Sequence, residues 1–132
     1  MNGIAQKWTF TTTMTTTGSN YRRGDVVLVL FPNSNLRTAK LRPVLVVQAN
    51  HLQTEISQIV VAMITSRIFR ANHPSRVFVS LATPEGVQSG LLTDSVVMTD
   101  NLATIAESAF QRTIGSLPMT DSDAALKHTL NL

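Results

Sequence analysis

The sequence of 132 residues contains no cysteine, few aromatic residues and few charges. The absence of cysteine excludes disulfide bonds, thiolate metal ligands and cysteine nucleophiles, and it fits a reducing cytosol. Aromatic residues make up 5% and charged residues 14% of the chain. Because 43% of the residues are hydrophobic, this composition is typical of a globular chain rather than a disordered one.

Long hydrophobic runs and familiar cofactor motifs are also missing. The longest aliphatic and aromatic run covers residues 26–31, whereas a membrane helix needs roughly 18 apolar residues. The three histidines show no metal-ligand spacing. Neither a phosphate-binding loop, a dinucleotide fingerprint nor a Ser-His-Asp order is present. We therefore expect no cofactor, no metal and no association with a membrane.

Charge is distributed unevenly along the chain. Residues 22–76 contain eight Lys or Arg residues and two acidic ones, whereas residues 77–132 contain two basic and six acidic residues. One interpretation is a basic half that faces an anionic polymer. The other is an ordinary solvated surface, and charge alone does not decide between the two.

Apolar periodicity and turn residues predict a mainly β chain with one helix at its C-terminal end. Strands are expected at 25–32, 42–48, 58–66, 76–81, 94–105 with a kink near Asp100–Asn101, and 110–117. The connections over 33–41 and 67–75 are basic, and 83–90 is a turn-rich link. This order predicts a small antiparallel barrel with a helix packed against it.

The two ends of the chain differ from this β pattern. Thr120 and Asp123 resemble a capping box, and Leu126 and Leu130 are four residues apart, so a helix is predicted from about 121 to 131. Residues 1–20 are rich in threonine and have no period, and we expect them to be a flexible N-terminal extension. The folded domain is then 21–132.

Three residues are candidates for chemistry. Arg42 precedes Pro43 at the start of a strand, where its guanidinium could bind phosphate in a bidentate manner or simply be a solvated loop arginine. Thr65 ends the third strand, and its hydroxyl is either functional or a product of β-propensity. Asp100 could accept a proton, orient Arg42 or make a turn with Asn101.

A set of segments in a fixed order carries a family resemblance. RRGDVVLVLFP, RPVLVVQ, VVAMITS, GLLTDSVVMTDNLATI and RTIGSLP, followed by the terminal helix, resemble the MazF/PemK (Kid) family of toxin endoribonucleases. The resemblance covers about residues 21–132. It implies an SH3-like antiparallel barrel that forms a homodimer, cleaves single-stranded RNA without a metal, and is neutralised by a cognate antitoxin.

The resemblance also implies roles for particular residues. Gly24 and Asp25 match the opening turn of the family, and Arg42 matches the catalytic arginine of its Arg-Pro pair. The candidate catalytic residues are Arg42, Thr65 and Asp100. The candidate substrate-binding residues are Arg37, Lys40, Ser66, Arg67, Arg70 and Asn101.

The chain departs from the family pattern in three places. Met98 stands where PemK-type members have an arginine, the loop over 33–41 has no histidine, and Asn101 replaces the commoner glutamine. These departures leave the proton-transfer scheme open. A catalytically inactive RNA-binding relative and a gyrase-poisoning toxin of the CcdB type are therefore alternatives, although the C-terminal HTLNL lacks the tryptophan motif of the latter.

The expected partners are single-stranded RNA, an antitoxin with an acidic flexible segment, and a second copy of the chain. Because few aromatic residues lie near the basic loops, base selectivity is expected to depend on Asn33 and Asn35. The dimer interface is expected to form from residues 91–98 and the C-terminal helix, which carry apolar side chains.

Overall fold

The computed structural model describes residues 20–132, so the extension expected over 1–20 lies outside the described residues except for Asn20. Six strands and two α-helices follow one another within these residues. They are β1 (Asp25–Pro32), β2 (Ala39–Val46), β3 (Gln58–Thr65), β4 (Arg76–Val79), α1 (Pro84–Gln88), β5 (Ser95–Ala106), β6 (Phe110–Ser116) and α2 (Thr120–Leu130).

All six strands belong to one antiparallel sheet with the order β4-β5-β3-β2-β1-β6. Within residues 20–132 the two edge strands, β4 and β6, do not pair with each other, so the sheet is open and only resembles a barrel. The prediction of a mainly β fold with one C-terminal helix is confirmed.

The central strands are buried on both faces. Val27, Val44 and Val61 belong to a core cluster on one side of the sheet, while Leu45 and Ala62 belong to a second cluster on the other side. We call these two sides the Val44 face and the Leu45 face. Burial on both sides explains why the strands read as continuous apolar runs rather than as a strict alternation.

Two strands differ from their predicted form. β2 begins at Ala39, because residues 39–41 pair with residues 30–32 of β1 instead of lying in the loop. The segment predicted as a strand with a kink is one strand, β5, that contains a bulge. Ala62 of β3 pairs with Leu102 of β5, but the next residue of β3, Met63, pairs with Met98. Residues 99–101 of β5 therefore have no pairing partner on β3. The predicted irregularity near Asp100 is this bulge.

The turn-rich link contains a short helix that the sequence did not reveal. The Thr83 hydroxyl accepts the Gly86 N–H at 3.0 Å and caps α1, and Pro84 occupies the first helical turn. A Cβ at Gly86 would collide with the carbonyl of Ser80, which explains the glycine at this position.

The C-terminal helix forms as predicted, but the expected capping box does not. Met119 is the N-cap, and it makes no side-chain capping bond. The Asp123 carboxylate instead pairs with Arg23, which precedes β1. Ser122 and Ala125 form the buried side of α2, whereas Leu130 is half exposed. No helix among residues 20–132 is long and apolar enough to cross a membrane.

Candidate active site

Two rows of side chains cross the Val44 face from β2 to β4. In the first row, Met63 pairs with Val44 on one side and with Met98 on the other, and Met98 pairs with Arg76. The second row is two residues further along each strand. There Thr65 pairs with Val96, and Val96 pairs with Phe78. Because side chains two residues apart share a face of a strand, both rows lie on the same side of the sheet.

Arg42 and Thr65 stand on either side of a gap in the sheet. The β2–β3 ladder consists of the pairs from Val44–Met63 to Val46–Val61. Beyond these pairs β2 continues alongside β1, with Arg42 opposite Val29, while β3 continues alongside β5. The register of the ladder places Arg42 across this gap from Thr65, and both residues point to the Val44 face.

The Arg42 guanidinium is available for a ligand. Arg42 is partly exposed, and within residues 20–132 its side chain makes no hydrogen bond or ion pair. Its backbone is held in β2 by pairing with β1, next to Pro43, which pairs with Leu28. The backbone of Arg42 is thus fixed while its guanidinium is free. Such a guanidinium suits bidentate binding of phosphate oxygens.

The Thr65 hydroxyl has one partner and spare capacity. Its Oγ1 accepts the Arg67 N–H at 3.2 Å. A hydroxyl oxygen has two lone pairs and one proton. Thr65 can therefore accept one further hydrogen bond and donate one while it keeps its contact with Arg67.

Asp100 lies in the bulge of β5 and pairs with Arg76, not with Arg42. Its Oδ1 accepts from Arg76 Nε at 3.2 Å, and its Oδ2 accepts from Arg76 Nη2 at 2.7 Å. Arg76 Nη1 donates to the Arg70 carbonyl at 3.2 Å. The hydrogen bond from Arg76 lowers the pKa of Asp100 below its ordinary value. An ionised, paired carboxylate is a weak proton acceptor, so Asp100 holds Arg76 in place.

Sequence reasoning places Arg76 only among the basic residues around the loop over 67–75 that could line a groove for phosphates, and it gives Arg76 no partner. Its guanidinium is held by two residues from different parts of the chain, and on β4 it stands directly opposite Met98. Arg76 and Phe78 are two residues apart on β4 and therefore share a face of the strand. Only the register of β4 against β5 shows that this face is the one that carries Thr65.

The remaining candidates surround this centre at different distances. Lys40 is two residues from Arg42 on β2 and therefore lies on the same face. Arg70 lies in a 3₁₀ turn, with its Nη1 3.9 Å from the Met98 sulfur. Exposed positions further out are occupied by Arg37 in the β1–β2 hairpin loop, Ser66 and Arg67 after β3, and Asn101 in the bulge. No group of three or more His, Asp or Glu residues in the described part of the chain could hold a metal ion.

The family assignment rests on the sequence profile of PemK-like, MazF-like toxins of type II toxin–antitoxin systems. This profile matches residues 22–130. The chain belongs to this family. The matched range includes every candidate site residue and all six strands.

Three solved structures illustrate the similarity in fold. An endoribonuclease from a mycobacterial species is 21% identical, with 87% of this chain and 95% of that chain covered and a TM-score of 0.63. The toxin MazF-mt6 from Mycobacterium tuberculosis is 24% identical, with coverage of 82% and 97% and a TM-score of 0.61. A mycobacterial endoribonuclease in complex with its cognate antitoxin is 22% identical, with coverage of 85% and 96% and a TM-score of 0.62. No curated protein matches the chain significantly.

Proposed function

We propose that this toxin is a metal-independent endoribonuclease that cleaves single-stranded RNA, in particular mRNA, at the gap between Arg42 and Thr65. The observation that carries the proposal is the position of an anchored guanidinium without a partner in residues 20–132, across a gap from a hydroxyl with spare hydrogen-bonding capacity. The family assignment supports it. So do the structural neighbours that are named endoribonucleases.

The reaction uses the RNA's own 2′-hydroxyl as the nucleophile. The 2′-oxygen bonds to the adjacent phosphorus, the bond from phosphorus to the 5′-oxygen breaks, and the products are a 2′,3′-cyclic phosphate and a 5′-OH. Arg42 binds two phosphoryl oxygens and stabilises the charge that develops on them. Such electrostatic stabilisation is worth about 2.7–4 kcal/mol per donor in well-studied sites. Arg42 itself is a poor base, because a guanidinium stays charged at any working pH.

Thr65 moves the proton. A free lone pair of Thr65 Oγ1 accepts the proton of the 2′-OH while the Thr65 hydroxyl proton passes to a phosphoryl oxygen. From that oxygen the proton moves to the departing 5′-oxygen. This relay needs the two unused sites of the Thr65 hydroxyl and leaves its contact with the Arg67 N–H in place. The protons balance, since one leaves the nucleophile and one reaches the leaving group.

Asp100 acts as a positioning residue. It orients Arg76, whose guanidinium keeps two of its five N–H groups free after its bonds to Asp100 and to the Arg70 carbonyl. Arg76 lies one row from Thr65 on the Val44 face and binds the phosphate next to the cleaved one. Arg76 on β4 thus supplies a cation beside Met98, which stands where PemK-type members have an arginine.

The other basic and polar candidates bind the flanking RNA. Lys40 and Arg70 stand closest to the two rows and contact phosphates. The outer contacts to the strand come from Arg37, Ser66, Arg67 and Asn101. If these four Lys and Arg residues contact phosphates, a plot of log RNA affinity against log salt concentration should fall with a slope of about −0.7 for each contact.

Further parts of the proposal concern the partners and the compartment. Residues 21–132 form the toxin domain, which acts in the cytoplasm as a homodimer and is neutralised by a cognate antitoxin whose acidic segment competes with RNA for Arg42. The interface expected from 91–98 needs correction, because Val96, Val97 and Met98 are buried within their own subunit. Leu92 and Leu130 are the large apolar residues that those two segments leave exposed.

The direct test is incubation of the purified protein with a long RNA in EDTA, followed by sequencing of the new 5′ ends and analysis of both termini. We expect cuts at a recurring short motif, with 2′,3′-cyclic phosphate and 5′-OH ends. RNA that is bound but remains intact would instead make the chain an inactive RNA-binding relative. RNA that is neither bound nor cut would favour a toxin that acts on a protein.

A further inference from the structure

A groove of about 450 Å³ runs along the free edge of β4, between this strand and α2. Its β4 side carries Arg76, Val77 and Phe78, and its α2 side carries Asp121, Ala125 and His128. The three helix residues share one face of α2, since they follow helical spacing. The volume falls within the range of roughly 300–1,000 Å³ that is usual for small-ligand sites.

Phe78 connects this groove with the proposed cleavage site. It stands in the same cross-strand row as Thr65, two strands away, which corresponds to roughly 10 Å at the usual spacing of neighbouring strands. Phe78 is 48% exposed on an edge strand. Natural sheets often place charged side chains or proline on such edges, so an exposed phenylalanine there is unusual. An exposed aromatic ring beside a phosphate-binding surface is the usual platform for a base of single-stranded RNA.

The polar groups of the groove fit a nucleobase better than an acidic peptide. Asp121 offers a hydrogen-bond acceptor, His128 offers ring nitrogens, and Arg76 has free N–H donors. A nucleobase presents both donors and acceptors at its edge and a flat face for stacking. The carboxylates of an acidic antitoxin segment would be repelled by Asp121.

We propose that this groove is a nucleobase subsite. The base of a nucleotide next to the cleaved phosphate stacks on Phe78, and its exocyclic amino group donates a hydrogen bond to the Asp121 carboxylate. Adenine, cytosine and guanine have such a group and uracil does not, so the subsite selects against uracil. This inference rests on the proposed RNA substrate, and it places base selectivity at the groove and not only in the hairpin loop with Asn33 and Asn35.

A binding experiment separates this inference from the proposed cleavage. The probe is an RNA with 2′-fluoro groups, which lacks the nucleophile, with 2-aminopurine moved through it one position at a time. We expect quenching by stacking at one position. Phe78→Leu should remove this quenching and weaken binding about tenfold, whereas Phe78→Tyr should keep both. The matched control is Val87→Ala, because Val87 is 70% exposed on α1 and does not line the groove.

A cleavage experiment with a randomised RNA pool tests the role of Asp121. The parent protein should discriminate against uracil at one position, and Asp121→Asn should lose that preference there and nowhere else. Unchanged preferences in both the Phe78→Leu and Asp121→Asn proteins would overturn the subsite. An equal loss of base preference at every position of the RNA would also overturn it. So would variants that bind RNA normally but bind an acidic peptide or a second copy of the chain more weakly.

The two proposals fail in different ways. If the parent protein quenches 2-aminopurine at one position but cleaves no RNA, the subsite stands and the proposed activity is wrong. If it cleaves RNA without position-specific quenching, the activity stands and the subsite is wrong.

Discussion

At the residue scale, the site depends on which polar side chains have partners within the described part of the chain. Arg42 has none there, whereas Arg76 is held by Asp100 and by the Arg70 carbonyl. The sequence could point to Arg42 through its Arg-Pro pair, although Pro43 lies within β2 and not at its start. It could not point to the Arg76–Asp100 pair, since the two residues are 24 positions apart and meet only through the register and the bulge of β5.

Replacement of Thr65 by valine should slow RNA cleavage about 100-fold, because the β-branched shape remains and the hydroxyl relay is lost. The free energy of unfolding should change by about 1 kcal/mol or less, since Thr65 is partly exposed. Single-turnover cleavage and urea denaturation measure the two effects. Thr93→Val is the matched control, because Thr93 is exposed and lies outside the two rows. Cleavage at the parent rate would remove Thr65 from the mechanism.

Asp100→Asn should weaken RNA binding through Arg76 and should not remove a titrating base from the pH–rate profile. Because Arg76 lowers the pKa of Asp100 below its ordinary value of 3.8, the carboxylate stays ionised down to a more acidic pH than an unpaired aspartate does. The stabilising effect of Asp100 is therefore fully present above the ordinary pKa and is lost as the pH falls through the lowered folded-state pKa. Unfolding of the parent and of the variant, measured from pH 7 downwards, should differ by a constant amount until about pH 4.

A pH–rate profile that depends on the Asp100 carboxylate would contradict its role as a positioning residue. If the parent loses activity with an inflection between pH 5 and 7, and this inflection is absent from the Asp100→Asn protein, then Asp100 takes up a proton during the reaction.

At the scale of elements, the strands could be predicted well and their junctions poorly. Continuous apolar runs mark β1 and β3 because these strands are buried on both faces. Three features were missed. α1 is a five-residue helix that is too short for a period, and the N-terminus of α2 uses Asp123 for a distant ion pair instead of a cap. The gap between β2 and β3 was not predictable either, because it arises where β2 follows β1 and β3 follows β5.

Arg23→Ala should destabilise the attachment of α2 to the sheet by about 1 kcal/mol. Arg23 pairs with Asp123 on the helix and donates through Nε to the Val47 carbonyl at 3.0 Å, and a partly exposed pair contributes modestly. Urea denaturation measures the change. Arg22→Ala is the control, since within residues 20–132 Arg22 makes hydrogen bonds only through its backbone, both of them to Asp25. Equal stability of the two variants would contradict this role of Arg23.

At the scale of the whole molecule, the fold collects cations from separate segments on one face. Arg42, Arg70 and Arg76 come from β2, from the 3₁₀ turn and from β4, and all lie near the two rows. The sequence predicts a surplus of positive charge, whereas the meeting of these three cations on one face depends on strand order.

A small open sheet with exposed apolar side chains should associate with a second copy. Leu30 and Leu41 are cross-strand neighbours that are 41% and 47% exposed, which is costly for an isolated subunit. Light scattering at micromolar concentration should therefore give the mass of two chains. A mass of one chain, unchanged up to high protein concentration, would contradict the homodimer.

The most direct test of the central claim is the rate of RNA cleavage in EDTA by the Arg42→Ala protein, with circular dichroism to show that it is folded. We predict a loss of at least about 100-fold, because the developing phosphoryl charge loses its anchored guanidinium. Arg42→Lys should recover little, since a point charge does not replace the bidentate fork. Cleavage by folded Arg42→Ala protein at the parent rate would show that the gap between β2 and β3 is not the site of the reaction.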